Sequence, residues 1–242
     1  MTGTARSAPR GGRQGLADGG SSGRWLRPTV FGAMDGLVTN ISLVAGVGGG
    51  GADRGVIVLA GLASLVARAL SMALGEYASV STQNHATVVE AEAERAQHVR
   101  DPGAEETELA VAYAKLGLSE HTARLVAREV HANPDVALQV HLAQELGIVL
   151  DRRPSAWLAG ISSFSSFTIG GLIPLIPFLV GSPSLIVGLG VAGLGLFVAG
   201  VLTAPFTHRG WWQSGLRQLL LGAVAAGATY LIGTAIGVTI AG

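Results

Sequence analysis

Asp35 lies inside an apolar stretch, Phe31-Gly32-Ala33-Met34-Asp35-Gly36-Leu37-Val38-Thr39. A carboxylate at the middle of a bilayer costs about 2.5–3.5 kcal/mol on insertion scales, so an acid kept there by default faces a cavity and marks an ion or proton path. The plainer alternative is a helix-end Asp that reaches the surface. A second apolar stretch carries Ser64, Arg68, Met72 and Glu76 at steps of four, which puts them on one slowly rotating stripe of a helix. That stripe offers a hydroxyl, a guanidinium, a thioether and a carboxylate. Carboxylate with thioether suits a transition ion that is neither very hard nor very soft, ferrous iron being one, with Asp35 as a second oxygen donor. A methionine in an apolar helix also serves as plain packing. Arg68 must find a counter-charge in such surroundings, and Asp35 and Glu76 are the acids at hand.

A third group of reactive side chains sits in the middle of the chain. Glu90 and Glu94, Glu94 and His98, and His141 and Glu145 are each four apart, and Glu105 and Glu108 are three apart, while five of the six histidines (His85, His98, His121, His131 and His141) fall in the same segment. Each pair shares a helix face, and carboxylates and imidazoles converging from several helices would make a hard to borderline site for a divalent ion. Simple solvation of acidic faces is the competing explanation. The Glu-x-x-His spacing of ferritin-like di-iron proteins does not occur. Nor does a nucleophile elbow, a phosphate loop or a His-Glu-x-x-His helix, so no enzyme is expected.

The elements that must position these groups follow from composition. The 242 residues include 49% hydrophobic residues, 36 glycines and only 13% charged residues, against about 25% charged in ordinary soluble domains. The formal charge is zero, yet 12 of the 16 acids lie between residues 82 and 153 and none follows Asp151. Together with a mean hydropathy of +0.47, this division implies two solvents, one of them lipid. Nucleic-acid binding loses its electrostatic support, and the absence of cysteine removes disulfides and thiolate metal sites.

Five apolar stretches, at roughly 29–50, 55–80, 155–180, 184–206 and 214–241, are each long enough to span a bilayer as helix. The expected fold is an all-α membrane protein with five transmembrane helices and a small cytoplasmic helical domain between the second and third. Its parts are a disordered basic tail (1–27), spans 1 and 2 (28–81), the acidic helical domain (82–153), and spans 3 to 5 (154–242). The tail holds Arg6, Arg10, Arg13, Arg24 and Arg27, and the connection near Arg209 and Arg217 is also basic, which sets the N-terminus and residues 82–153 in the cytoplasm and the C-terminus outside. Pro174 and Pro177 should kink the third span. The second span has no breaker until Asp101-Pro102, so its helix is expected to run on out of the membrane. Within the acidic segment, Ser119 and Asn133-Pro134 read as helix starts, and Gly117 and Gly147 as stops.

These residues taken together resemble a known family. Asp35-Gly36-Leu37-Val38-Thr39-Asn40, Ser71-Met72-Ala73-Leu74-Gly75-Glu76-Tyr77-Ala78-Ser79-Val80, Glu145-Leu146-Gly147 and Gly171-Leu172-Ile173-Pro174-Leu175-Ile176-Pro177 look like the motifs of the vacuolar iron transporter family of iron and manganese transporters, in their Gly-Glu-Tyr form common among bacterial members. The resemblance implies a homodimer in lipid, with a translocation path at the dimer interface through which Fe²⁺ or Mn²⁺ leaves the cytosol in exchange for protons, and no prosthetic group. It implies pore ligands at Asp35 and Met72, with Ser64 where plant-type members have Glu, Glu76 as the replacement carboxylate, and Arg68 where a small residue is usual. In the cytoplasmic domain it carries metal-binding roles to Glu94, Glu105, Glu108 and Glu145, while Gln97 stands for a further Glu, and His141 and Leu142 for two Met. The implied site is retained but altered, with the oxygen and nitrogen donors that suit manganese. The implied location is a bacterial inner membrane. A membrane-anchored metal sensor or buffer, its pore sealed by Arg68, is the alternative.

Overall fold

The computed structural model describes residues 19–145, 147, 153–207 and 210–241, with side chains over 29–144, 147, 153–205 and 210–237. These residues form helices and no strand. In chain order the helices are α1 (Gly19–Gly49), α2 (Arg54–Arg100), α3 (Pro102–Lys115), α4 (Glu120–His131), α5 (Pro134–Glu145), α6 (Ala156–Leu172), α7 (Ile176–Leu179), α8 (Leu185–Leu202), α9 (Ala204–Thr207) and α10 (Trp211–Ala241), with a 3₁₀ turn at Ile173–Leu175 before α7. Five segments are long and apolar enough to cross a membrane: Thr29–Gly49, Arg54–Arg100, Ala156–Leu179, Leu185–Leu202 and Trp211–Gly237. The third is broken at Ile173–Leu175 and restarted at Ile176, where Pro174 and Pro177 remove two helical donors.

Within the stretch expected as a basic tail (1–27), α1 begins at Gly19. Hydropathy marks where a helix becomes apolar, not where its backbone hydrogen bonds start. The first part of the expected tail, residues 1–18, lies outside the described residues.

The chain divides into two compact units, Met1–Ala73 with Ile161–Gly242, and Leu74–Gly160. In the first, Met34, Leu37, Ile41 and Ala45 of α1 pack on Ala192, Leu196 and Ala199 of α8 and Ala226 of α10. A second cluster joins Val44, Ile57, Leu175 and Phe178, and a third joins Leu65 and Ala69 of α2 to Phe167 of α6, with Met72 against it. Backbones approach closely where side chains are small: a Cβ at Gly36 would strike the carbonyl of Phe167. One turn on, Asn40, fully buried, donates from Nδ2 to the carbonyl of Gly171 at 2.6 Å.

The second unit is held by local signals. Asp101 caps α3 by accepting from the Ala104 amide at 3.0 Å, and Ser119 caps α4 by accepting from the Thr122 amide at 3.2 Å. Asn133 accepts from the amides of Asp135 and Val136 at the start of α5. Gly117 ends α3 with φ of 101°, a left-handed conformation that glycine adopts without a Cβ penalty. Leu109, Ala110 and Ala127, with Tyr113, Val130 and Val140 against them, form its apolar core.

Candidate metal centre

Four helices of the second unit each bring at least one metal-ligating group to a single place. Glu94 and His98 stand one turn apart near the end of α2, Glu105 is in the first turn of α3, His131 is the last residue of α4, and His141 lies in α5. One ligand atom from each of Glu94, His98, Glu105 and His141 falls within 4.8 Å of the others. The cross distances are 3.3 Å from His98 Nε2 to Glu94 Oε1, 3.8 Å to Glu105 Oε2, 3.5 Å from His141 Nδ1 to Glu94 Oε1 and 3.7 Å to Glu105 Oε2. His141 is fully enclosed, and the side chains of Glu94 and Glu105 are only 8% and 10% exposed.

Two carboxylates buried this close repel each other and lose hydration, so they persist only with opposite charge or hydrogen-bond donors beside them. His98 and His141 each face both carboxylates. A divalent cation among these groups would supply the counter-charge, with deprotonated carboxylates and neutral imidazoles as its ligands.

His131 extends the cluster. Its ring stacks on that of His98 with centroids 5.5 Å apart and meets that of His141 edge-on at 5.2 Å. The ligand nitrogens of His98, His131 and His141 form a second group within 4.8 Å of one another.

The expected site residues divide accordingly. Glu94, Glu105 and His141 come together as the resemblance implies. Glu108 is exposed and is not among the grouped ligands. Glu145 closes α5, and its side chain lies outside the described residues. His98 was visible only as the i+4 partner of Glu94, and His131 was one of five histidines with nothing to single it out. Burial is the missing signal, and it depends on how four helices pack.

In the first unit, Asp35 on α1 and Arg68 on α2 are exposed, and neither belongs to an ion pair among the described residues. The expected pairing of Arg68 with Asp35 or Glu76 is therefore not among the ion pairs of the described residues. Met72 is half-buried against Leu65, Ala69 and Phe167, so packing already accounts for much of its side chain. Ser64 is also half-buried, and Glu76, beyond Met72 on α2, is exposed.

Comparison with known proteins gives the architecture a context. The chain is 27% identical over 213 residues to vacuolar iron transporter 1 of Eucalyptus grandis, covering 87% of this chain and 86% of that protein. It is 31% identical over 230 residues to vacuolar iron transporter homolog 1 of Oryza sativa subsp. japonica, covering 92% and 80%. A vacuolar iron transporter of Acanthamoeba castellanii is 39% identical over a shorter 152 residues, covering 63% of this chain and 54% of that one. The model of the VIT family matches residues 26–234. Because that match reaches all five apolar helices and takes in the four helices around the carboxylate–imidazole cluster, it concerns the whole architecture, and the chain belongs to the VIT family.

Proposed function

We propose that this membrane protein is a transporter that exports divalent iron or manganese from the cytosol in exchange for inward proton flow. The observation that carries the reading is the family match across residues 26–234, joined to relatives named as iron transporters at 26–28% identity over most of the chain. In this reading Asp35 and Met72 coordinate the ion in the membrane, and Glu76, one turn beyond Met72, binds metal or relays protons. The helices between α2 and α6 lie in the cytosol, and their pocket of Glu94, His98, Glu105 and His141 takes up divalent metal on that side. The Gly-Glu-Tyr motif at Gly75-Glu76-Tyr77 favours a bacterial cell membrane over the vacuole for which the relatives are named.

Exposure of Asp35 and Arg68 supports a homodimer. A charged side chain facing lipid costs about 2.5–3.5 kcal/mol, and both are exposed on an apolar helix of one chain. A second copy covering this surface would exchange lipid for a polar path and give Arg68 an acid to face. The same arginine favours the alternative in which the pore is closed and the protein serves as a metal buffer or sensor, since a fixed cation repels a passing one.

Proteoliposomes with an imposed pH gradient and external Fe²⁺ or Mn²⁺ test this. The expected result is metal flux that follows the gradient and falls about 100-fold in Asp35→Asn, the equivalent of one lost charged ligand at roughly 3 kcal/mol. Absence of flux in the wild type, with metal still bound, would establish the buffer instead.

A further inference from the structure

The ring of His131 is held at one nitrogen and left open at the other. Its Nδ1 lies 2.9 Å from the carbonyl oxygen of Ala127. A carbonyl accepts and never donates, so the proton of the neutral ring is on Nδ1, and the lone pair is on Nε2. That nitrogen is buried and has no hydrogen-bond partner, and one ring nitrogen of His131 lies within 4.8 Å of one each from His98 and His141. A ring fixed through Nδ1 to a backbone carbonyl, with Nε2 free inside a pocket, is the arrangement that orients ligating histidines generally.

The separations also have a shape. A four-coordinate ion with bonds of about 2.0–2.2 Å to nitrogen and oxygen spaces its ligand atoms by about 3.3–3.6 Å along the tetrahedral edges. The four imidazole–carboxylate distances, 3.3, 3.5, 3.7 and 3.8 Å, lie at or slightly above that spacing. These four edges join His98 and His141 to Glu94 and Glu105 and lie close to the spacing of a small four-coordinate ion, while His131 adjoins them through its own group with His98 and His141.

We infer that this pocket is a site for a late first-row divalent ion of the zinc class, its ligands drawn from the two overlapping groups His98–His131–His141 and Glu94–His98–Glu105–His141, in preference to the iron or manganese assigned to the membrane path. Three imidazoles shift affinity along the series from Mn²⁺ and Fe²⁺ towards Zn²⁺, whereas manganese favours carboxylate, carbonyl and water. The inference rests on the reading of these helices as metal-binding and names the ion class they take. It differs from the manganese preference that oxygen and nitrogen donors alone suggested, because His131 adds a third imidazole.

The test uses the full chain in detergent, freed of metal and titrated with Co²⁺ as a spectroscopic probe. The expected result is the intense visible band of four-coordinate cobalt, displaced by one equivalent of Zn²⁺ and retained in a 100-fold excess of Mn²⁺. His131→Ala should weaken Zn²⁺ binding at least 10-fold and reduce the band, while Glu129→Gln, an exposed carboxylate on the same helix, should do neither. A faint six-coordinate spectrum in the wild type, displacement by Mn²⁺ as readily as by Zn²⁺, or unchanged zinc affinity in His131→Ala would each overturn the assignment. The wild-type spectrum and the competition decide the matter even where the variant fails to fold. Flux in proteoliposomes is a separate readout: transport with six-coordinate cobalt sinks this inference alone, and four-coordinate cobalt without transport sinks the exporter alone.

Discussion

The ionisable groups of the apolar helices and those of the inserted helices are treated in opposite ways. Asp35 and Arg68 are exposed and unpaired within one chain, whereas Glu94, Glu105 and His141 are buried and face each other at 3.5–3.7 Å where imidazole meets carboxylate. Burial of a charge is tolerated only with a partner, so the inserted helices carry a site complete in one polypeptide. The apolar helices carry charged groups that one polypeptide does not satisfy. The contrast teaches that a buried cluster of ionisable groups and charges carried on apolar helices obey different rules of assembly, even where both use carboxylates.

Removing the centre of the buried group should break the contrast most severely. His141→Ala leaves Glu94 and Glu105 facing one another with one imidazole fewer, and stripping a partner from a buried charge costs about 3–5 kcal/mol. Chemical unfolding of the full chain, followed by helical signal, should show this as early loss of the inserted helices, together with loss of metal binding. In the apolar helices the sensitive points are steric. Gly36→Ala drives a methyl into the carbonyl of Phe167 and should cost about 1–3 kcal/mol as overpacking does, read as a lowered melting temperature in detergent. Ser119→Ala removes the acceptor for the Thr122 amide and should lower stability by about 1 kcal/mol. Glu108→Gln, at an exposed position outside the cluster, should stay within about 0.5 kcal/mol of wild type and leave zinc affinity unchanged. A strong loss of metal there would redraw the pocket.

Much of this was legible before any coordinates. The run-on of α2 to Arg100 and its stop at Asp101-Pro102, the helix starts at Ser119 and Asn133 and the stop at Gly117 are local matters, decided by a residue and its next three or four neighbours, and they stand where the sequence places them. Five apolar segments follow from composition alone. The pocket was legible only in part. Glu105 and Glu108 are separated by three residues, hence by about 60° around a helix, and that angle is enough for one to be buried while the other faces water. His131 acquires its meaning from rings on α2 and α5, 33 residues before and 10 after it in the chain, a distance that no helical spacing rule covers.

The hydrogen-bond partners of Asn40 and Ser42 on α1 are made late. Asn40 bonds to Gly171, and Ser42 accepts from Thr229, 131 and 187 residues further on. The inserted pocket, by contrast, has all its donors once residue 141 has been synthesised. Contacts close in sequence form before distant ones because less loop entropy opposes them. During synthesis, therefore, the inserted unit can fold while the first two apolar helices still wait for α6, α8 and α10. The order of translation lets the carboxylate–imidazole cluster assemble before the apolar bundle is finished.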